Sequence, residues 1–175
     1  MSETAGSEND AFPDVRWGKE TSRLRPALVA FAASPVGSWL VRTLTPIDRR
    51  LLTRSRGRFT VLGPVGAPVL LLTTTGRKSG LPRTTPLIYL REPGRVSVVA
   101  SNFGQAHHPA WSGNLLADPH ATVTIGGRDV SCRATALEGA ERDRVYAAFE
   151  ELARTYAVYK DRTARDIRVF TLVPA

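Results

Sequence analysis

The chain has 175 residues, of which 42% are hydrophobic, and this is enough for one domain with a core and short tails. Its formal charge of +8 is concentrated, because residues 23–58 carry eight Arg and one Asp. No run of about 18 apolar residues exists and the start lacks a signal peptide, so we expect a cytoplasmic protein. The single cysteine, Cys132, excludes an internal disulfide, and we expect it to be a small buried residue.

The first two segments differ in charge. Residues 1–22 are polar and acidic without periodicity, which predicts a disordered tail. Residues 23–57 combine apolar residues at near-helical spacing with arginines, which predicts a basic amphipathic helical arm. Such an arm suits an anionic membrane surface at the inner face of the cell membrane. A helix that packs on the folded domain explains the pattern equally well. We expect the folded domain to occupy residues 58–175.

A basic turn between two β-rich runs is the central feature of the sequence. Val69–Thr75 predicts a strand, and Gly76 and Gly80 give the following turn its backbone freedom. Arg77, Lys78, Ser79 and Arg83, together with a nest of backbone N–H groups, are suited to an anion. The turn has neither the P-loop nor the Rossmann glycine order, which disfavours a nucleotide triphosphatase. Because charged turns are also common on solvated surfaces, the turn alone leaves both interpretations open.

The rest of the chain predicts short strands with few helices. A Gly126-Gly127 pair between two strands indicates a tight hairpin. The predicted strands are Phe59–Leu62, Val69–Thr75, Thr85–Leu90, Val96–Ala100, Ala121–Ile125, Asp129–Leu137 and Ile167–Val173, and the predicted helices are Pro109–Ala117 and Glu141–Tyr156. Six or seven antiparallel strands with a few helices predict a mainly β fold with α, in the form of a closed or partly closed barrel.

Four blocks along the chain carry a resemblance to a known family. They are LLTTTGRKSGLPRTTPL, VVASNFG, HPAWSGNL and, separated by one residue, TYAVYKDRT and RDIRVFTL. From about Arg42 to Pro174 the sequence resembles the deazaflavin-dependent nitroreductase and quinone reductase family of actinobacteria. The resemblance implies a split β-barrel like that of flavin reductases and pyridoxamine-phosphate oxidases. It also implies coenzyme F-420, an 8-hydroxy-5-deazaflavin, as the hydride donor to quinone-like or nitroaromatic acceptors.

The resemblance also implies roles for single residues. The cationic turn and Arg83 would bind the phosphate and oligoglutamate tail of the coenzyme. The residues implied at the ring and on the neighbouring helix are Thr85, Pro86, Ala100, Ser101, Asn102, Pro109, Ala110, Trp111 and Asn114. The candidate proton donors are Ser101, Tyr156 and Tyr159. For Trp111 and Tyr156, core packing is the competing interpretation. A metal site at His107-His108 is disfavoured because no third ligand follows at useful spacing.

The sequence departs from the family at a few positions, and it is compatible with other functions. Ser112-Gly113 follow the Ala-Trp pair, where the family often has Tyr, and Ile88 stands where some members carry an aromatic residue. We therefore expect a wider or less aromatic acceptor pocket. A non-catalytic deazaflavin carrier is a second function, and an FMN-binding reductase on the same barrel is a third. Nucleic-acid binding is disfavoured because no recognised module is present.

Overall fold

The computed structural model describes residues 11–13, 54–55, 68–152, 156, 159 and 163–175. The predicted strand Phe59–Leu62 and all of the arm except Arg54 and Ser55 lie outside these residues. Asn102–Gly104 form a short 3-10 helix. The described part also contains six strands and two α-helices with defined ends. They are β1 (Val69–Thr75), β2 (Pro82–Glu92), β3 (Arg95–Val99), α1 (Ala110–Ala117), β4 (His120–Ile125), β5 (Arg128–Leu137), α2 (Gly139–Leu152) and β6 (Val169–Pro174).

The six strands form one closed antiparallel barrel in the order β1-β2-β3-β6-β5-β4. Pairing of β1 with β4, in which Leu72 lies opposite Val123, closes the barrel. Every neighbouring pair is antiparallel. The antiparallel barrel predicted from the sequence is therefore confirmed.

Alternation along the strands separates two apolar clusters. In β3, Val96 and Val98 belong to the cluster that also contains Leu72 and Trp111, whereas Val99 belongs to a second cluster with Phe149 of α2. Successive strand residues point to opposite faces of a sheet. The first cluster therefore fills the barrel, and the second lies between the outside of the barrel and α2.

Most element positions agree with the sequence, and the bounds differ at strand and helix ends. Strand β2 begins at Pro82, three residues before the predicted start at Thr85, because Pro82 and Arg83 pair with the end of β1. Helix α2 begins at Gly139 instead of Glu141 and ends at Leu152, with Tyr156 also helical. The Gly126-Gly127 hairpin is confirmed, with φ values of 57° and 86°.

Phe12, within the predicted disordered tail, is packed inside the barrel. Phe12 is 1% exposed and belongs to the cluster inside the barrel. The Arg91 Nη2 group donates a hydrogen bond of 2.9 Å to the Phe12 carbonyl. Residues 11–13 therefore differ from the prediction, and disorder in the rest of 1–22 stays a prediction.

Two further expectations concern burial and membrane crossing. Cys132 is 1% exposed, which confirms the small buried residue predicted from its neighbours. No helix within the described residues is long and apolar enough to cross a membrane.

Candidate functional site

The basic turn between β1 and β2 is held by its own backbone. The Gly76 N–H group donates to the Leu81 carbonyl at 2.9 Å, and the Gly80 N–H group donates to the Gly76 carbonyl at 2.7 Å. A Cβ atom on Gly76 would lie 2.8 Å from Ser79 Oγ and 3.1 Å from the Leu81 carbonyl oxygen, so a larger residue there would have to displace both. Gly80 has φ of +67°, which glycine adopts without strain. Both glycines therefore fix the shape of the turn.

At this turn, side chains are more available than backbone N–H groups for hydrogen bonds to an anion. The N–H groups of Gly76, Ser79 and Gly80 donate to backbone carbonyls, and the Arg77 N–H group donates to Asn114 Oδ1 at 3.1 Å. These four groups are therefore unavailable for the anion-binding nest expected from the sequence. The side chains that the sequence singled out are all exposed, namely those of Arg77, Lys78, Ser79 and Arg83.

Asn114 of α1 stabilises the basic turn through two hydrogen bonds of its side chain. Its side chain is buried, with 4% exposed. Oδ1 accepts from the Arg77 N–H group at 3.1 Å, and Nδ2 donates to Thr74 Oγ1 at 3.0 Å. An ideal Cβ on Gly113 would lie 3.5 Å from Arg77 Cζ, so the guanidinium rests against α1 where no side chain intervenes. The basic turn is therefore fixed to α1 by the hydrogen bonds of Asn114 and by the contact of Arg77 with the helix.

The second part of the site is the loop between β3 and α1, which contains Ala100, Ser101 and Asn102. Ala100 and Ser101 are buried. Asn102 and Phe103 have φ of 47° and 56°, in the left-handed region that non-glycine residues rarely adopt. The Asn102 Nδ2 group donates to the His107 carbonyl at 3.0 Å and closes the loop on itself.

Helix α1 connects this loop to the turn. Pro109 is its N-cap residue, and Ala110 is its first residue and is exposed. At 1.5 Å per residue, Pro109 and Asn114 are about 7–8 Å apart along the helix. The loop and the basic turn are therefore connected through one short helix. Strand β2, which follows the basic turn, carries Thr85 and Pro86, and both are half-buried.

The side chains of the predicted site residue Trp111 and of its neighbour Ser112 are engaged within the protein itself. Trp111 is 5% exposed and packs edge-on against Phe170, with ring centroids 5.7 Å apart. Ser112 is fully buried, and its hydroxyl donates to the Pro109 carbonyl at 2.9 Å. Trp111 therefore lies in the barrel core, and Ser112 faces the helix turn. Their direct contacts with a coenzyme or an acceptor stay predictions.

The two candidate tyrosines differ in exposure. Tyr156 is 6% exposed, and burial raises the pKa of its phenol well above the usual range, with Tyr159 and Tyr146 acting in the same sense. Tyr159 is half-buried and lies edge-on to Phe103, with ring centroids 6.0 Å apart. The aromatic contact brings Tyr159 to the loop that carries Ser101, whereas Tyr156 lies in the cluster under α2.

Arg165 was not singled out from the sequence. Its guanidinium donates to the carbonyls of Ser101 at 2.7 Å, Ala100 at 3.0 Å and Gln105 at 2.9 Å. It also contacts His108 Nδ1 at 3.1 Å. Arg165 lies within the block RDIRVFTL, but a charge some 60 residues from its partners gives no local signal of this contact.

Comparison with known proteins places the chain in a family. The model of the F420H(2)-dependent quinone reductase family matches residues 40–174. This chain belongs to that family. The F420H(2)-dependent quinone reductase family model covers the turn, the loop, α1 and both tyrosines, so the site described above lies wholly inside the matched region.

Individual proteins similar to this chain carry the same family name. An F420H(2)-dependent quinone reductase of Mycobacterium tuberculosis is 32% identical over 146 residues, which cover 78% of this chain and 97% of that protein. A second protein of that organism, a putative F420H(2)-dependent quinone reductase, is 35% identical over 107 residues, which cover 61% of this chain and 90% of that protein.

Solved structures show the same fold. The structure of an F420-H2 dependent reductase is 39% identical, with a TM-score of 0.56, and the alignment covers 60% of this chain and 93% of that one. A structure described as a domain-swapped dimer is 35% identical, with a TM-score of 0.58, and the alignment covers 79% of this chain and 99% of that one.

Proposed function

We propose that this protein is an oxidoreductase that uses reduced coenzyme F420 to reduce a quinone. The observation that carries the proposal is the family match over residues 40–174, which includes every residue of the candidate site. The relatives from Mycobacterium tuberculosis that bear the same name support it.

The residues of the site fit the coenzyme that the family name implies. The tail of coenzyme F420 carries a phosphate and several carboxylates, and the turn exposes Arg77, Lys78 and Arg83. Charge-assisted hydrogen bonds from such side chains to an anion contribute about 1.5–3 kcal/mol each. Arg77 is also held in place, because Asn114 fixes its backbone and Gly113 leaves room for its guanidinium. These cations and Ser79 would hold the tail.

The ring would lie beside the loop and β2. Ala100, Ser101 and Asn102 form the loop side of this site, and Thr85 and Pro86 form the strand side. Pro109 and Ala110 border it at the start of α1. Trp111 and Asn114 would support the site from within the protein, because their side chains are buried and engaged in core packing and hydrogen bonds.

When bound, reduced coenzyme F420 supplies a hydride from C5 of its deazaflavin ring. A quinone that accepts a hydride also needs one proton to become a quinol. The Ser101 hydroxyl and the Tyr159 phenol are the groups of this chain proposed to donate a hydrogen bond or a proton to the quinone oxygen. Tyr156 is more buried than Tyr159, and its raised pKa keeps its phenol protonated throughout the physiological range.

The two predicted classes of acceptor, quinones and nitroaromatic compounds, differ in their support. Nitroaromatic compounds were predicted together with quinones from the resemblance, whereas the family and relatives are named for quinones alone. Ile88, which is half-buried on β2, stands where an aromatic residue was expected. We propose a quinone as the acceptor, and nitroaromatic compounds belong in the same assay as a comparison.

Binding at the membrane surface is a separate proposal. It rests on the eight Arg and one Asp of residues 23–58, nearly all of which lie outside the described residues. Exposed charges are screened over about 8 Å at physiological ionic strength. Sedimentation with anionic vesicles should therefore fall as salt rises, and deletion of residues 1–45, which removes three of the eight arginines, should weaken it.

Titration of the purified protein with oxidised and reduced coenzyme F420 tests the coenzyme site. Arg77→Ala and Lys78→Ala should each weaken binding about 10- to 100-fold, because each removes a charge-assisted contact. Arg128→Ala is a matched control. Arg128 is exposed at the β4–β5 turn, and β4 runs antiparallel to β1, so it lies at the opposite end of the barrel.

Three outcomes of this titration distinguish the possible coenzyme sites. Micromolar binding that both turn variants weaken and the control leaves unchanged supports the site. Absence of micromolar binding for both coenzyme forms contradicts it. Tight binding of FMN by the wild-type protein, with none of coenzyme F420, would favour the FMN-binding reductase.

A further inference from the structure

One guanidinium holds the loop between β3 and α1 at four residues. Arg165 Nη2 donates to the carbonyls of Ala100 at 3.0 Å and Ser101 at 2.7 Å. Arg165 Nε donates to the Gln105 carbonyl at 2.9 Å, and Nη1 lies 3.1 Å from His108 Nδ1. The planar five-donor fork of an arginine can bond several acceptors in fixed directions, which a lysine ammonium cannot do.

The loop needs such a restraint because its conformation is strained. Asn102 and Phe103 both have positive φ, at 47° and 56°. Non-glycine residues keep such angles only where their surroundings over-determine them. Asn102 Nδ2 supplies part of the restraint through the Gln105 side chain at 3.2 Å and the His107 carbonyl at 3.0 Å. Arg165 bonds the loop on both sides of the strained pair.

The contact with His108 fixes its tautomer. A guanidinium has no acceptor, so His108 Nδ1 must accept the hydrogen bond from Arg165. The ring is then neutral, and its proton is on Nε2. Partial burial lowers the pKa of His108, and the charges of Arg168 and Arg165 act in the same direction. His108 therefore presents an Nε2–H donor.

We propose that Arg165 is a positioning residue for hydride transfer, which holds the 100–108 loop and the Nε2–H tautomer of His108. This inference rests on the proposed function, because it assigns the loop to the ring side of the coenzyme. The loop also presents Phe103, whose ring contacts Tyr159 at 6.0 Å between centroids. Arg165 thus helps to position two of the candidate proton donors. It bonds the backbone carbonyl of Ser101 directly, and it acts on Tyr159 through the loop residue Phe103.

The position of Arg165 predicts a separation of binding from turnover. The cations proposed for the coenzyme tail are on the β1–β2 turn, which Asn114 and not Arg165 braces. Loss of Arg165 should therefore leave the Kd of the coenzyme within about threefold, since the tail contacts remain. A loop shift of about 1 Å at the reacting groups should lower kcat by about 10- to 100-fold.

Three variants test the proposal in the full-length protein. Arg165→Ala removes the fork, and Arg165→Lys keeps the charge without the fork and should give an intermediate kcat. Arg168→Ala is the matched control, because it removes an equal charge near His108 from the same segment. In the structure the Arg168 backbone carbonyl, not its side chain, bonds the loop, at Ala100 N–H.

Each variant is measured in three ways. The kinetic readout is kcat and coenzyme Kd with reduced coenzyme F420 and a soluble quinone. Amide hydrogen exchange over 100–108 reports the loop, and nitrogen NMR of the ring reports the His108 tautomer. The last two measurements need no turnover, so they decide the role of Arg165 even if the wild-type protein reduces no quinone and the proposed function fails.

The expected result for Arg165→Ala has three parts. Kcat falls with little change in coenzyme Kd, exchange rises over 100–108 and not in the barrel strands, and the His108 ring loses its single tautomer. Wild-type exchange in the loop, or wild-type kcat, overturns the proposal. So does faster exchange throughout the barrel in both Arg165 variants, because that result indicates a general role in stability.

Discussion

Asn114 is the residue that joins the two halves of the site. Its amide accepts from the backbone of Arg77 and donates to the side chain of Thr74, so one buried group positions both the end of β1 and the basic turn. The sequence pointed to Asn114 as a polar contact of the coenzyme. The structure shows an internal role for Asn114, through which it can act on the coenzyme by way of Arg77, and its direct contact with the coenzyme stays a prediction.

Replacement of Asn114 by Ala should reduce both stability and coenzyme affinity. It removes two buried hydrogen bonds and leaves Thr74 and the Arg77 N–H group without this partner, which costs about 1–3 kcal/mol in the free energy of unfolding. Urea unfolding measures this loss. Thr74→Val removes one of the two bonds and should cost less, and the double variant should cost less than the two single effects together. Full additivity would show that the two residues act independently.

Cys132 should be unreactive while the protein is folded. Burial raises the pKa of its thiol to about 11, so almost no thiolate exists at pH 8. Because the folded pKa is raised, the stability that this group contributes is complete at neutral pH and is lost as the pH rises toward 11. A thiol-reactive chromophore should label the native protein slowly and the urea-unfolded protein rapidly, at one site per chain. Rapid labelling of the native protein at pH 8 would contradict the buried position.

At the scale of the element, the β1–β2 hairpin shows what sequence patterns can and cannot predict. Branched residues in Val69–Thr75 and the flanking glycines predicted the strand and the turn correctly. The start of β2 at Pro82 was not predicted because proline is a poor strand former, and the pairing of Pro82 and Arg83 with Thr75 and Thr74 outweighs that preference. The brace from Asn114 was also missed, since a hydrogen bond over 37 residues has no periodic signal.

The turn itself should tolerate no side chain at Gly76. A Cβ atom there would lie 2.8 Å from Ser79 Oγ and 3.1 Å from a backbone oxygen, so Gly76→Ala must shift the turn. We expect weaker coenzyme binding by titration and a lower midpoint of thermal unfolding. Gly113→Ala is the matched control, because its Cβ would meet Arg77 at an ordinary 3.5 Å. That variant should weaken coenzyme binding less than Gly76→Ala, because the new contact with Arg77 is an ordinary one, and it should gain up to about 1 kcal/mol in stability, because alanine favours a helix.

At the scale of the whole molecule, the barrel and the family could be predicted, whereas the contacts that close the structure could not. Strand composition and turn residues predicted the antiparallel barrel. The packing of Phe12 joins the start of the chain to the barrel core, and Arg91 binds its carbonyl across 79 residues. The four-residue contact of Arg165 has the same long-range character. Such contacts depend on the closed fold and leave no mark in a local pattern.

Phe12 should therefore contribute to the stability of the barrel. Its side chain is 1% exposed inside the core, and replacement of a buried Phe by Ala costs about 3–5 kcal/mol. Urea unfolding of Phe12→Ala should show this loss, whereas Phe12→Leu should lose less because it fills more of the space. If Phe12→Ala unfolds at the same urea concentration as the wild type, the tail does not pack on the barrel in solution.

The central claim is that this chain passes a hydride from reduced coenzyme F420 to a quinone. The most direct test is a single-turnover experiment without oxygen, in which protein loaded with reduced coenzyme is mixed with a soluble menaquinone analogue. Absorbance of the oxidised deazaflavin follows the reaction, and a nitroaromatic compound serves as the comparison acceptor. We predict oxidation of the coenzyme with one quinol formed per coenzyme. If the coenzyme binds tightly and stays reduced with every quinone, the protein is a carrier and the claim is wrong.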